Sequence, residues 1–273
     1  MQPPYFYDAI WNRDAHSPTA CIGIDPTPAA LGSWQLEDTA DGALAFGRQL
    51  VDVADGLVSV VKPQVAYFER FGPDGFTALS RLISEARERG LLVIADAKRG
   101  DIGASCEAYA QAWLGSRAPM QVDALTVSPY LGVPTLFPFF ERAAEAGAYV
   151  FVVARSSNPE GSKLQSTGDR SVWLQVLDGV AEWSVRHSKR TVGAVVGATT
   201  PSELGSALSL LPEAIFLAPG IGAQGASFGA ISTGSLATSR IVVSSSRGIA
   251  AEGPDAEALR MAVRVQLGLD VAP

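Results

Sequence analysis

Apolar residues along this chain come in short runs, and each run is stopped by a polar or charged group. Thr19–Ile24 ends at Asp25-Pro26, and Leu57–Val61 ends at Lys62-Pro63-Gln64. Leu91–Ala95 ends at Asp96, and Ala124–Val127 ends at Ser128-Pro129-Tyr130. Tyr149–Val153 leads to the polar stretch from Arg155, and Thr191–Val196 leads to Gly197-Ala198-Thr199. Ala214–Ala218 leads to Pro219-Gly220, and Ile241–Val243 leads to Ser244-Ser245-Ser246-Arg247. Short, mostly apolar runs without strict alternation suit strands buried on both faces, as in parallel sheets.

Between the runs lie stretches that predict helices. They cover 37–55, with Leu44, Leu50 and Val51 near helical spacing, then 73–89, 103–115, 133–146 and 170–188. Another opens at Pro201, and the last covers 253–267. Gly90 and Gly147 follow two of these stretches, where glycine closes helices, and Pro201 suits a first turn. The residues before Thr19 read as irregular. Eight strands alternating with helices, with no linker or composition shift, predict an α/β fold: one (β/α)8 TIM barrel domain over 1–273. A doubly wound open sheet is the runner-up.

Composition narrows the setting. Of 273 residues, 47% are hydrophobic and 18% charged, which suffices for a core and argues against disorder. A net charge of −7 disfavours nonspecific nucleic-acid binding. No apolar run approaches the roughly 18 residues of a membrane span. The start, Met1-Gln2-Pro3-Pro4, lacks the charged and apolar regions of a secretory signal, and Cys21 and Cys106 make no disulfide framework. The expectation is a cytoplasmic protein with neither nucleic-acid nor membrane partners. His16 and His187 are the two histidines and neither adjoins a motif, so no imidazole mechanism and no zinc site is expected. His187 reads as a surface residue, and the five tryptophans read as packing residues.

The chemistry concentrates after the third run, in Asp96-Ala97-Lys98-Arg99-Gly100-Asp101-Ile102-Gly103. Alternation along a strand points Asp96 and Lys98 the same way, and the glycines free the backbone for a turn beside Asp101. In barrels, ligands bind at the C-terminal ends of the strands. There this chain offers Asp25, Lys62, the Asp96/Lys98/Asp101 group, Ser128, Ser157 with Asn158, Thr199, Gln224 and Arg247. The last two strands carry a phosphate signal: Gly220, Gly222 and Gly225 can expose backbone N–H groups, Gln224 can donate an amide, and Arg247-Gly248 can pair with phosphate. Plainer readings exist for each feature alone: Asp25 as a turn former, Lys62 as a surface lysine, Gly-Ile-Gly as a tight loop. Their recurrence at successive strand ends favours a site.

Taken together, Asp25-Pro26, Lys62-Pro63-Gln64, Asp96-Ala97-Lys98-Arg99-Gly100-Asp101-Ile102, Ser128-Pro129-Tyr130, Ser157-Asn158-Pro159, Pro219-Gly220-Ile221-Gly222 with Gln224, and Ser246-Arg247-Gly248 resemble the orotidine 5′-phosphate decarboxylase family, in its second, longer subfamily. The pieces run in family order over nearly the whole chain. The resemblance implies conversion of orotidine 5′-phosphate to uridine 5′-monophosphate in de novo pyrimidine biosynthesis, with no metal and no cofactor. It implies a charged array of Lys62, Asp96, Lys98 and Asp101, with Lys98 as proton donor to C6. It also implies a homodimer, in which Asp101 enters the partner subunit's site. Asp25 would hold the ribose, Ser157 the pyrimidine, and Gln224, Arg247 and Gly248 the phosphate. Ser105 replaces the family's usual Thr and keeps the hydroxyl for a ribose contact across the interface; Cys106 replaces a smaller residue.

Two rivals remain at this stage. Related barrel enzymes acting on a 3-keto-hexulose phosphate acid, and their aldolase cousins, share Asp-x-Lys-x-x-Asp but require Mg²⁺. Ile94, two before Asp96, supplies no acidic ligand, and Lys62-Pro63-Gln64 also disfavours them. A non-catalytic binder of a phosphorylated metabolite would have no need of two carboxylates near an anionic ligand.

Overall fold

The structure, a computed structural model, describes residues 5–12, 17–199, 201–220, 231 and 238–269. Its strands are β1 (Thr19–Ile24), β2 (Val60–Pro63), β3 (Leu92–Arg99), β4 (Ala124–Val127), β5 (Tyr149–Arg155), β6 (Val192–Val196), β7 (Phe216–Pro219) and β8 (Ile241–Ser245). Each pairs in parallel with the next, and β8 returns to β1 through Thr19↔Val242 and Ile22↔Ser245. That last pairing closes the barrel and excludes the open sheet.

Alternation along the strands sorts the apolar side chains into two layers. Ile22, Val61, Val93, Leu125, Val150, Val152, Ala194 and Val243 face outward and pack under the helices with Leu50, Leu79, Leu82, Phe139 and Leu177. Cys21, Val60, Ile94, Ala124, Tyr149, Phe151, Leu217 and Val242 face inward. Burying each such Val, Leu, Ile or Phe stabilises the fold by about 1.5–3 kcal/mol. Both faces of every strand are therefore apolar, which is why no strand announces itself by a polar face.

The start of the chain corrects one expectation. Phe6–Trp11 is a helix, and it stops the lower end of the barrel. Phe6 stacks on Tyr149 at 5.5 Å and meets Phe151 edge-on at 5.8 Å. Six residues are too few to reveal a helical period, and this helix owes its stability to what it covers.

Strand limits also shift. β2 begins at Val60 because the N–H groups of Leu57 and Val58 both donate to the Ala54 carbonyl and finish the preceding helix (Ala40–Ala54). β3 continues past Ala95 to Arg99, so Asp96 and Lys98 lie within the strand. After β8 a short helical turn, Arg247–Ala250, precedes the closing helix Ala256–Gln266, which Asp255 caps through the Ala258 N–H at 2.9 Å. Trp34, Trp113, Trp173 and Trp183 are buried, in keeping with a packing role.

Candidate active site

The inward rows of the barrel become polar toward the C-terminal ends of the strands. Val60 is followed two residues later by Lys62, Ile94 by Asp96, Ala124 by Thr126, and Val242 by Ser244. The same alternation that builds the apolar interior thus carries a lysine, a carboxylate and two hydroxyls into the top of it.

Asp96 is the centre of this layer. Its Oδ2 accepts from Lys62 Nζ at 3.1 Å. Its Oδ1 accepts from Lys98 Nζ at 2.7 Å and from Thr126 Oγ1 at 2.9 Å. The Lys62 and Asp96 side chains are only 7% and 13% exposed, whereas Lys98 is 48% exposed. Lys98 is therefore the cation that opens to the mouth. Burial pushes the Asp96 carboxyl up, but Lys62, Lys98 and the hydrogen bonds from Lys98 and Thr126 outweigh it and hold the group well below the usual carboxylate range. Burial works against the Lys62 ammonium, yet Asp96, and next Asp25, overcome it and raise its pKa. Both groups are charged over any physiological pH.

Lys98 does not reach this position by regular alternation. The β3–β4 register shifts between Ala95 and Arg99, and Lys98 has a φ of +47°. A non-glycine residue in that left-handed region costs about 1–3 kcal/mol and persists only where its surroundings enforce it. Here the Lys98 N–H donates to Thr126 Oγ1 at 3.0 Å, and the Ser128 N–H donates to the Arg99 carbonyl at 2.7 Å. Gly100 then passes so close to β4 that a Cβ would lie 2.4 Å from the Ser128 carbonyl oxygen. Gly103 has a φ of +50° as it opens the next helix, Gly103–Trp113.

The other predicted residues distribute as follows. Asp25 follows β1, and its Oδ1 is buried without a hydrogen-bond partner. Asp101 pairs with neither Lys62 nor Lys98 of its own chain; its Oδ1 accepts from the Ile102 N–H at 2.8 Å. Ile102 is 60% exposed and Ser105 is exposed beside it. Arg247, also exposed, begins the turn after β8 and has no carboxylate partner among the described residues. Gly248 has a packing reason of its own: a Cβ there would lie 2.3 Å from the Gln266 amide. Ser128 and Ser157 are half-buried at the ends of β4 and β5, and Thr199 follows β6. Gln224, Gly222 and Gly225 lie outside the described residues.

Three groups that tie the strand ends together escaped the sequence reading. One is Thr126, hidden in an apolar run. Another is the Arg99–Glu69 pair at 2.8 Å, which ties β3 to the short helix Ala66–Glu69 after β2. The third holds the segment 155–169, which in the sequence is only a polar stretch after the fifth run. Arg155, 7% exposed, donates Nε to Glu203 Oε2 and Nη1 to Gln165 Oε1, both at 2.9 Å. Gln165 also accepts from the Ser156 N–H at 3.1 Å and donates to Ser156 Oγ at 2.8 Å. Only the coincidence of distant partners creates this clamp, so no local pattern could have signalled it.

Among the described residues, no group of three or more His, Cys, Asp or Glu side chains is arranged to hold a metal ion, and no helix is long and apolar enough to cross a membrane. A cavity of about 820 Å³ opens at the opposite, N-terminal end of the strands, between Tyr7, Thr191 and Ala214; among the described residues, none of the predicted site residues lines it.

Residues 18–262 match the model of the orotidine 5′-phosphate decarboxylase / HUMPS family. An orotidine 5′-phosphate decarboxylase of Salinispora arenicola is 44% identical over 248 residues, covering 89% of this chain and 88% of that protein. One from Streptomyces coelicolor is 45% identical over 253 residues, covering 89% and 88%. A crystal structure from Streptomyces avermitilis, whose proposed identity is the same decarboxylase, superposes with a TM-score of 0.83 at 42% identity, over 97% of this chain and 94% of that one. The chain belongs to the orotidine 5′-phosphate decarboxylase / HUMPS family.

Proposed function

We propose that this enzyme decarboxylates orotidine 5′-phosphate to uridine 5′-monophosphate, a step of de novo pyrimidine biosynthesis, and that it needs neither metal nor cofactor. The observation that carries the reading is the Asp96 carboxylate held between Lys62 and Lys98 at the mouth of the barrel. Loss of CO₂ from C6 leaves a carbanion that no neighbouring carbonyl delocalises well. Stabilisation then has to come from charge already in position. Lys98 is the half-exposed, mouth-facing ammonium of the array, suited to meet the developing charge and to deliver the proton to C6. Asp96 would lie beside the departing carboxylate, and Lys62, buried beneath it, would keep it ionised. A seat for a divalent cation at Asp96 is disfavoured because both carboxylate oxygens are already taken by ammonium groups and the Thr126 hydroxyl.

The remaining assignments belong to the same reading. Asp25, with its unpartnered buried oxygen, takes a ribose hydroxyl. Ser157 takes the pyrimidine, and Arg247, Gly248 and Gln224 take the phosphate. The working unit is a homodimer in the cytoplasm. The partner subunit's Asp101 completes the array and the partner subunit's Ser105 reaches the ribose. That Asp101 pairs with neither lysine in its own chain supports this arrangement. The test is the ultraviolet absorbance of orotidine 5′-phosphate mixed with purified enzyme in excess EDTA. Conversion to uridine 5′-monophosphate is expected. Conversion only after Mg²⁺ is restored would transfer the chain to the metal-dependent branch of its family, and unchanged absorbance under both conditions would overturn the proposal.

A further inference from the structure

Thr126 sits on β4, is fully buried, and faces the barrel interior two residues beyond Ala124. Its hydroxyl is used in both directions. It donates to Asp96 Oδ1 at 2.9 Å and accepts from the Lys98 backbone N–H at 3.0 Å. One side chain therefore touches both ends of the Asp96-Ala97-Lys98 segment. The donated bond orients the carboxylate oxygen that Lys98 Nζ also grips. The accepted bond satisfies an N–H that the register shift of β3 has taken out of the regular ladder, at the residue whose φ is +47°. No other hydroxyl in the site makes two such contacts among the described residues.

We infer that Thr126 is a positioning residue for the decarboxylation, fixing through one hydroxyl the carboxylate of Asp96 and the strained backbone of Lys98. The inference rests on the function proposed above. A hydroxyl is required because only it can donate to a carboxylate and accept from an amide at the same atom. Valine has the same shape without either capacity, and would leave the Lys98 N–H without its acceptor. Once that anchor is gone, the Lys98 backbone can relax out of the left-handed region and carry Nζ away from its place. Misplacement of a reacting group by about 1 Å can cost on the order of 100-fold in rate.

The experiment compares wild type with Thr126→Val, Thr126→Ser and Thr126→Ala for kcat, KM for orotidine 5′-phosphate, affinity for uridine 5′-monophosphate and thermal midpoint. Ser and Ala differ only in the hydroxyl, so this pair decides the matter even if the valine variant fails to fold. The expected result is a kcat lowered by roughly 100-fold in Thr126→Val and Thr126→Ala. Product affinity should hold, and Thr126→Ser should keep most of the turnover. Equal kcat in the Ser and Ala variants would overturn the inference, since the methyl group and not the hydroxyl would then matter. An equal loss of kcat and product affinity in Thr126→Ala would also overturn it, as a general disruption of the site. Wild-type enzyme without turnover would instead remove the proposed function, and that outcome is read before any variant is made.

Discussion

Lys98 combines three properties that seldom coincide in one residue: an ammonium half open to solvent, a carboxylate at 2.7 Å, and a backbone in the left-handed region. The first allows it to meet a ligand, the second holds its Nζ in place, and the third is stored strain of the kind that gathers at functional sites. Replacing Lys98 by Ala should lower kcat by several orders of magnitude while uridine 5′-monophosphate still binds, measured by steady-state kinetics and by calorimetry. Near-normal turnover in that variant would remove the proton-donor role. Arg247 poses the opposite case. Being exposed and free of carboxylate partners among the described residues, it is available to a phosphate. Arg247→Ala should weaken phosphorylated ligands and leave the affinity for the unphosphorylated nucleoside nearly unchanged, a contrast read by titrating uridine against its 5′-monophosphate. Lys62, Asp96, Lys98 and Arg247 were all legible in the chain, because charged residues at or within a few positions of the end of an apolar run are unusual enough to be noticed. Thr126 was not, because a threonine inside Ala124-Leu125-Thr126-Val127 is an ordinary strand residue until its neighbour across the sheet is known.

At the scale of elements, β3 and the segment after β5 do the positioning. β3 was expected to stop at Ala95; it runs four residues further because Gln64 bridges to Asp96 on one side and Arg99 pairs with Val127 on the other. A polar residue ends an apolar run in the sequence, but it does not end a strand when neighbours on both sides continue the ladder. The segment after β5 is held by a buried guanidinium bound to Glu203 and Gln165. Breaking a buried ion pair leaves an uncompensated charge. Glu203 is itself partly exposed, which moderates the cost. Glu203→Ala should destabilise the fold by about 1–3 kcal/mol in urea denaturation. It should also raise KM more than it lowers kcat, because Ser157 is carried on the segment that Arg155 anchors. A variant with unchanged KM would mean that Ser157 is placed without the clamp.

At the scale of the molecule, the barrel brings together residues from the first strand to the last, and the proposed array still lacks one carboxylate unless a second chain supplies it. Asp101 forms no ion pair with Lys62 or Lys98 of its own chain, and its carboxylate accepts instead from the N–H of the exposed Ile102. Mixing Lys98→Ala with Asp101→Ala protein tests this directly. Each variant alone should be inactive. After random exchange of subunits, half the dimers are mixed, and each mixed dimer holds one site with both residues intact, so about a quarter of the wild-type rate should return. If Asp101 served its own chain, both sites of a mixed dimer would remain damaged and no activity would return.

Eight short apolar runs with helices between them were enough, by themselves, to determine a barrel, because few other arrangements bury that many strands on both faces. The polar groups at the ends of those runs pointed to a candidate site at one mouth. Local sequence could not determine the N-terminal helix Phe6–Trp11, whose stability comes from the aromatic floor of Tyr149 and Phe151. Nor could it determine the bulge that turns Lys98, the clamp on Arg155, or the double hydrogen bond of Thr126. Each of these depends on groups brought together from distant parts of the chain, and only closure of the sheet sets the distances between them.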